Sequence, residues 1–212
     1  MTDIESRAAI AYRKLEEDIV TLQLKPGETL TESKLTDDLQ MGRTPIREAL
    51  QRLAWEGLLI IRPRLGIVVA DINPADFVKV LSARHPLEIL LAGAAARLAS
   101  REQRDALKAC AEDMRSAVIS SDLMSFQRLD KQFDEIVAKA SCNPFAVQAV
   151  APLQTQSRRF WYRYLGEQEL GPAASHHVDV MQAIEAGDEV DAKAKAEGLM
   201  TYMKAQAIAL IE

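Results

Sequence analysis

The stretch MGRTPIREALQRLAWEGLL, residues 41–59, decides the fold of the N-terminal part of this chain. Its apolar residues recur at intervals of four and three, which predicts an amphipathic helix with one buried face. The buried positions are Ile46, Leu50 and Leu53. Arg43 and Arg47 fall together on a different face, so the helix also has a side that carries hydrogen-bond donors. Pro45, between them, is tolerated in the first helical turn, where its missing N–H would have no partner.

Two helical patterns precede this stretch and a hairpin pattern follows it. Apolar residues at helical spacing predict a first helix within residues 8–22 and a second, shorter helix at residues 31–39. Short β-favouring runs at residues 58–61 and 67–69 flank the segment RPRLG, residues 62–66, whose proline and glycine predict a turn. Three helices followed by a hairpin predict a winged helix-turn-helix domain.

The rest of the chain predicts helices alone. After the linker Asp71–Pro74, helical patterns continue with five breaks, which gives about six helices. We therefore predict a mostly α-helical protein with two domains: a winged helix-turn-helix domain at residues 1–72 and an antiparallel all-helical bundle at residues 73–212. Pro86 and Pro152 lie inside helical patterns and are predicted to kink or divide their helices.

The composition excludes several classes of protein. Hydrophobic residues make up 48% of the sequence and charged residues 27%, which is typical of a globular protein rather than a disordered or fibrous one. No run approaches the roughly 18 apolar residues of a membrane span, and the N-terminus lacks the pattern of a signal peptide, so we expect a cytoplasmic protein without a membrane partner. Cys110 and Cys142 stand alone, without the spacing of a zinc site or a disulfide framework.

The charge distribution favours nucleic-acid binding at one place. The net charge of −5 argues against indiscriminate coating of nucleic acid. Five arginines nevertheless lie close together, at positions Arg43, Arg47, Arg52, Arg62 and Arg64. A helix N-terminus attracts phosphate and arginine pairs with guanine, so this helix suits DNA recognition, with Arg62 and Arg64 of the wing available for phosphates or the minor groove. The alternative is a solvated basic face, which the preceding helices and the arginine-bearing hairpin disfavour.

The whole motif resembles the GntR-type winged-helix regulators. The residues that carry the likeness are Pro26-Gly27, Leu35, Arg43–Leu50, Leu53, Gly57-Leu58 and Gly66. The resemblance implies operator contacts from the two arginines of the helix, assisted by the following threonine and the wing. The DNA-binding residues that we predict are Ser33, Arg43, Thr44, Pro45, Arg47, Arg62 and Arg64. Two positions depart from the family pattern: Gln40 replaces a glycine of the turn, and Gly42 replaces a serine that would cap the helix.

The helical domain resembles the FCD domain of the fatty-acid-regulator branch of the same family. The markers are Leu87-Glu88, Leu129-Asp130, Phe133, Ala140–Pro144 and Ala183–Asp188. The resemblance implies a homodimer whose helical domain holds a small organic acid, frequently over a divalent metal bound by one aspartate and three histidines. The four matching positions are Asp130, Asp134, His177 and Leu199, so a zinc, manganese or nickel ion would lack the fourth ligand.

Asp130, Asp134 and His177 can also be interpreted without the family. Asp130 projects within the apolar stripe of its predicted helix, Asp134 lies at the edge of that stripe, and His177 points into the apolar face of a later helix. Carboxylate and imidazole groups together suit zinc or manganese. The alternatives are an internal hydrogen bond between Asp130 and His177, and a solvated Asp134.

Arg84 marks another polar position in the helical domain. It lies among the apolar residues of its predicted helix, and a buried guanidinium requires an anion. That anion is either Glu88, one turn later, or an effector carboxylate held in a bidentate pair. The predicted effector-binding residues are therefore Arg84, Asp130, Asp134 and His177.

Together these features predict a dimeric transcriptional regulator rather than an enzyme. We expect it to bind double-stranded operator DNA as a repressor and to be released by a small carboxylate metabolite. One alternative is a DNA-binding dimer whose helical domain is purely structural. Another is a metal-dependent enzyme with a DNA-binding appendage, but no nucleophile, general-base pair or cofactor loop accompanies the candidate metal ligands.

Overall fold

The computed structural model describes residues 6–62 and 66–211. In chain order its elements are α1 (Arg7–Val20), β1 (Thr29–Leu30), α2 (Glu32–Leu39), α3 (Arg43–Trp55), β2 (Leu59–Arg62), β3 (Gly66–Val69), α4 (Pro74–Leu98), α5 (Arg101–Ile119), α6 (Leu123–Ala140), α7 (Pro144–Tyr164), a 3₁₀ turn (Gly166–Glu169), α8 (Leu170–Ala186) and α9 (Glu189–Ala209). The predicted fold class is confirmed: the described chain is mostly α-helical, with one small sheet formed by β1, β2 and β3. No helix of the described chain has the length and apolar character that crossing a membrane requires.

The chain divides into two compact units. The first runs up to Asn73 and includes Arg158–Arg163 of α7, and the second holds Pro74–Ser157 and continues from Tyr164. Within the first unit, Arg159 Nη2 donates to the backbone carbonyl of Ala70 at 2.5 Å. The end of α7 therefore groups with the winged helix.

The core of the first unit lies between α1 and α3. Leu15 and Ile19 of α1 meet Ile46, Leu50 and Leu53 of α3 in one apolar cluster, and none of the five is more than 2% exposed. Burying side chains of this size stabilises a fold by about 1.5–3 kcal/mol each. The apolar stripe predicted for α3 is therefore its buried face, and the arginines lie outside the core.

The sheet of the first unit is antiparallel, with strand order β1-β3-β2. Val68 of β3 lies opposite Ile60 of β2 on one side and Thr29 of β1 on the other. The predicted strands of the wing are present, whereas β1 was not predicted because two residues carry no periodic signal. The tip of the wing, residues 63–65, lies outside the described residues.

The turn between α2 and α3 contains a residue, Gln40, whose backbone adopts the left-handed conformation. Gln40 has φ 51° and ψ 43°, and its backbone N–H contacts the carbonyl oxygens of Thr36 and Asp37. A side chain in this backbone conformation costs about 1–2 kcal/mol, a penalty that glycine avoids. The departure from the family pattern at Gln40 is therefore a strained position.

The second unit is a helical bundle in which α4 packs on α9, α5 packs on α6 and α8, and α8 packs on α9. The six helices predicted for this part are all present among the described residues. Ser100 and Gln103 form a capping box at the start of α5, and the side chains of Asp122 and Asp188 cap α6 and α9. Such caps satisfy backbone N–H groups that have no partner within the helix.

The two internal prolines do not divide their helices. Pro86 lies within the continuous helix α4 and Pro152 within the continuous helix α7. A proline removes its own N–H from the helical ladder, but both helices continue through it. Of the predicted kink or division, division is excluded, and a kink at either proline stays a prediction.

Candidate nucleic-acid interface and buried polar cluster

The N-terminus of α3 is accessible to a ligand. Gly42 occupies the N-cap position and makes no side-chain hydrogen bond to the helix. The first backbone N–H groups of α3 are thus left without a side-chain cap, and such groups bind phosphate oxygens readily. Arg43 and Thr44 are exposed at this end of the helix, and Pro45 is half-buried beside them.

The two arginines at the start of α3 have different surroundings. Arg47 Nε donates to Glu32 Oε2 at 2.8 Å, which links α3 to the first residue of α2. Arg43 makes no hydrogen bond or ion pair with any residue that the structure describes. The guanidinium of Arg47 is therefore held by Glu32, whereas no described residue holds the guanidinium of Arg43.

A cleft of about 620 Å³ lies between α2, α3 and the wing. Its lining residues are Leu30, Thr31, Glu32, Arg47, Leu50, Gln51, Ile61, Arg62, Gly66 and Ile67. The structure thus brings two predicted DNA-binding residues, Arg47 and Arg62, to one cleft. Ser33 is exposed on α2 and does not line the cleft, and Arg64 lies outside the described residues.

Arg52, further along α3, is engaged within the domain. Its guanidinium lies over the ring of Tyr12 at 3.7 Å from the ring centroid, and its Nε donates to Glu56 Oε1 at 3.0 Å. The Tyr12 hydroxyl donates to the other oxygen of Glu56 at 2.7 Å. Burial and the charge of Glu16 raise the pKa of Tyr12, so this hydroxyl stays protonated. The guanidinium of Arg52 is therefore engaged by Tyr12 and Glu56, unlike those of Arg43 and Arg47 at the start of the helix.

A buried ion pair occupies the core-facing side of α4 in the helical unit. Arg84 Nε donates to Glu88 Oε1 at 2.6 Å, and the two side chains are only 4% and 11% exposed. Gln154 Nε2 of α7 donates to the same carboxylate oxygen at 3.0 Å. Arg84 Nη1 contacts the Met203 sulfur of α9 at 3.8 Å. Of the two anions considered for Arg84, Glu88 therefore forms an ion pair with it.

Arg84 nevertheless keeps a capacity to bind an anion. Burial lowers the pKa of Arg84, but the charges of Glu88, Asp134 and Asp130 outweigh burial and raise it, so the guanidinium stays charged. A thioether is a weak acceptor, so the Met203 sulfur leaves Nη1 with little of the bonding that an oxygen would supply. A carboxylate placed at Nη1 would add to the existing pair rather than replace it.

His177 of α8 and Asp130 of α6 form a second buried pair. His177 Nε2 lies 2.8 Å from Asp130 Oδ1, and His177 Nδ1 lies 2.8 Å from the backbone carbonyl oxygen of Ala173. Both neighbours are acceptors, so both are satisfied only when each ring nitrogen carries a proton. Burial lowers the pKa of His177, but the hydrogen bond and charge of Asp130 prevail, and the pKa is raised. Phe126 and Phe133 meet the ring edge-on.

The predicted metal ligands Asp130, Asp134 and His177 do not fit a divalent cation. No group of three or more His, Cys, Asp or Glu side chains in the described ranges is arranged to hold a metal ion. Leu199, at the fourth family position, is buried and has no donor atom. A metal requires a neutral imidazole, whereas the two acceptors around His177 favour the protonated ring. The observed arrangement is the internal hydrogen bond between Asp130 and His177 that was the alternative to a metal site.

Gln127 adds an acceptor to the same face of α6. Gln127, Asp130 and Asp134 are buried at spacings of three and four residues along this helix. Gln127 Oε1 is buried and accepts no hydrogen bond from any described residue. Because buried amide oxygens nearly always have a donor, this atom marks a position for a ligand or a water molecule. The sequence prediction missed Gln127, although a polar residue one turn before Asp130 in an apolar stripe was an available signal.

Comparison with known proteins assigns both parts of the chain. The FCD domain family matches residues 79–201, which is more than half of the 212 residues. The gntR family of bacterial regulatory proteins matches residues 8–69, the winged helix-turn-helix with its sheet.

Individual relatives agree with these assignments. The HTH-type transcriptional repressor RspR of Escherichia coli K12 is 28% identical over 180 residues, which cover 84% of this chain and 78% of that protein. The probable D-xylose utilization operon transcriptional repressor of Paenarthrobacter nicotinovorans is 27% identical over 194 residues, covering 90% of this chain and 84% of that protein. The solved structure of E. coli McbR/YncC covers 99% of this chain and 100% of its own, with a TM-score of 0.84 at 19% identity, a likeness that shows the fold alone.

Proposed function

Because this chain belongs to the GntR family of bacterial regulators that carry an FCD domain, we propose that it represses transcription from a specific operator under the control of a small metabolite. As a member of this family it is a DNA-binding transcriptional regulator and not an enzyme. We also propose that it recognises a specific operator, acts as a repressor, responds to a metabolite and is located in the cytoplasm. Two of its relatives are named as repressors, which supports the direction.

One observation supports the location of the proposed DNA-binding site at the start of α3. The start of α3 has no side-chain cap and presents Arg43 and Arg47, with Arg62 of β2 on the same cleft as Arg47. Uncapped N–H groups and a free guanidinium suit phosphates, and a held guanidinium suits the guanine edge in the major groove. We therefore place α3 in the major groove and the wing beside it, with Ser33, Thr44 and Pro45 as supporting contacts.

The helical unit is proposed to bind a small carboxylate metabolite. Arg84 Nη1 supplies a charged donor with a weak neighbour, and Gln127 Oε1 supplies a buried acceptor without a donor. A carboxylate suits Arg84 Nη1, and a hydroxyl or amine donor suits Gln127 Oε1. Asp130, Asp134 and His177 are proposed to border the same ligand without a metal.

Regulation requires two arrangements of the protein. We propose a homodimer whose two α3 helices meet successive half-sites about one helical turn of DNA apart. A metabolite changes operator affinity only if it binds one arrangement of the dimer more tightly than the other. Occupation of the helical units is proposed to favour the arrangement in which the spacing of the α3 helices does not match the operator.

The test uses the full-length protein and a pool of random duplexes of about 30 base pairs. Selection identifies a bound sequence, and fluorescence anisotropy then measures its affinity while short hydroxy acids, dicarboxylates and sugar acids are added singly. We expect one acid to weaken binding about 5- to 150-fold, the usual range of allosteric coupling. The double variant Arg84→Met with Glu88→Leu, which leaves neither charge of the buried pair alone, should bind the duplex without responding to the acid.

Arg101→Met is the matched control, since it removes an exposed arginine of the same unit. It should respond to the acid like the wild type. If the protein selects a sequence but no acid changes its affinity, the helical unit is a structural dimerisation domain. If no sequence is selected, the proposed operator binding itself is wrong.

A further inference from the structure

We infer that Glu32 is a positioning residue that holds Arg47 for base recognition and thereby sets the base preference of α3. This inference rests on the proposed binding of DNA through α3. It concerns one ion pair, between the first residue of α2 and the fifth residue of α3.

The geometry of the pair determines which edge of Arg47 is left for DNA. Glu32 Oε2 accepts from Nε of Arg47 at 2.8 Å, so the carboxylate occupies the side of the guanidinium. The two terminal nitrogens remain, and these present the parallel donors that match the N7 and O6 acceptors of guanine. A side chain fixed at Nε approaches a base end-on and in one orientation.

Arg43 differs from Arg47 in that no described carboxylate holds its guanidinium in place. It lies one turn before Arg47, is exposed, and has no hydrogen bond or ion pair in the part of the chain that the structure covers. A freely rotating guanidinium next to the uncapped helix start suits a phosphate, because phosphate contacts tolerate variation in orientation and carry no sequence information. We therefore assign phosphate binding to Arg43 and base selection to Arg47.

Stability alone does not account for the pair. The Arg47 and Glu32 side chains are 60% and 36% exposed, and ion pairs at this exposure contribute little to folding. A carboxylate next to DNA also repels phosphates and weakens binding to every sequence. A group that lowers general affinity while fixing one base-reading side chain raises specificity.

Glu32 could act on DNA binding in two ways that do not involve positioning Arg47. An acid in the first turn of α2 interacts favourably with the helix dipole, which would give Glu32 a purely structural role. An acid near the interface could also act only through its charge. Asp38 is an exposed acid on the same helix, and no described residue pairs with it, so it serves as the control for charge.

The experiment measures base discrimination in variants of the full-length protein. A sequence is first selected by the wild type from random duplexes of about 30 base pairs. Dissociation constants are then measured at one salt concentration for that duplex and for each single base-pair substitution in one half-site. The proteins compared are the wild type, Arg47→Ala, Glu32→Ala, Glu32→Gln and Asp38→Ala, each with its melting temperature.

The expected result is a shared loss of discrimination at one base pair. Arg47→Ala should lose about 5- to 150-fold of discrimination at the base pair it reads, which corresponds to one bidentate contact. Glu32→Ala should lose discrimination at that same base pair, with unchanged or tighter binding to random duplex. Glu32→Gln should lose less, because an amide oxygen can still accept from Nε. Asp38→Ala should discriminate like the wild type.

Several results would overturn the inference. One is wild-type discrimination by Glu32→Ala at the base pair that Arg47 reads. Another is an equal loss by Glu32→Ala at every position together with a lower melting temperature. If Arg47→Ala loses no particular base pair, the inference fails although the operator binding stands. If the wild type selects no sequence at all, the proposed function fails and the inference with it.

Discussion

His177 Nε2 and Asp130 Oδ1 lie 2.8 Å apart inside the helical unit, where each side chain is less than a tenth exposed. The pair joins α8 to α6 at positions where the family resemblance places a metal ion. A doubly protonated imidazole carries a positive charge, so the protein itself supplies a cation beside Asp130. A charged His177 can therefore pair with Asp130 directly.

We expect the stability contributed by this pair to fall as the pH rises. The pKa of His177 in the folded protein is raised above its ordinary value of 6.5, so the contribution is full below 6.5 and is lost as the pH rises through the raised value. Asp130→Asn should lower the free energy of unfolding by about 1.5–3 kcal/mol near pH 5.5, and by less near pH 9. Urea denaturation measures both differences. Equal differences would contradict a His177 that loses its proton between these two pH values.

Divalent metals should leave the protein unchanged. After dialysis against EDTA, added zinc, manganese or nickel should not raise the melting temperature. A functional site saturated a hundredfold above its dissociation constant would stabilise the protein by about 2.7 kcal/mol, which is several degrees. A rise of that size in the wild type, absent in Asp130→Asn, would show that these residues bind metal after all.

Removing one member of the Arg84–Glu88 pair should destabilise the protein more than removing both. Glu88→Gln leaves the buried Arg84 without its nearest anion, and we expect a loss of about 3 kcal/mol in the free energy of unfolding. The double variant Arg84→Met with Glu88→Leu should recover most of that loss, because neither charge of this pair is left buried without the other. Urea denaturation compares the two proteins.

An exposed pair on the same helix provides the control for this comparison. Lys79→Met breaks the exposed Lys79–Asp76 pair and should lower stability by less than about 1 kcal/mol. A double variant as unstable as Glu88→Gln would contradict the account of the buried pair.

Gln40→Gly should stabilise the winged helix-turn-helix unit. Glycine relieves the strain of the left-handed backbone at φ 51°, and its greater freedom in the unfolded chain offsets part of that gain. We expect a net increase of about 0.5–1 kcal/mol in the free energy of unfolding. Gln40→Ala keeps a Cβ atom and should show no such increase. Equal stability of the glycine and alanine variants would mean that this turn is not strained.

Local periodicity was sufficient to predict the helices and their buried faces. The stripe of Ile46, Leu50 and Leu53 predicted which side of α3 packs on the core, because burial of one face repeats at the helical period. Gly42 likewise predicted a helix start without a side-chain cap. Signals of this kind depend only on residues within a few turns of one another.

Contacts between distant elements could not be predicted in this way. Glu32 and Arg47 are 15 residues apart, and Glu88 and Gln154 are 66 apart, so no periodicity links them. The sequence could not decide between a metal site and an ion pair for a related reason. Residue types alone suit a metal or an ion pair equally, and the choice depends on the acceptor that each nitrogen of His177 meets.

The most direct test of the regulator assignment is the affinity of the full-length protein for its selected duplex after Arg43→Ala and, separately, Arg47→Ala. The account predicts that each variant keeps the wild-type melting temperature, because both side chains are exposed. It also predicts that Arg43→Ala weakens binding to the selected and the random duplex alike, and that Arg47→Ala loses most of its preference for the selected duplex. Wild-type affinity for the selected duplex in either folded variant would contradict recognition of DNA through α3.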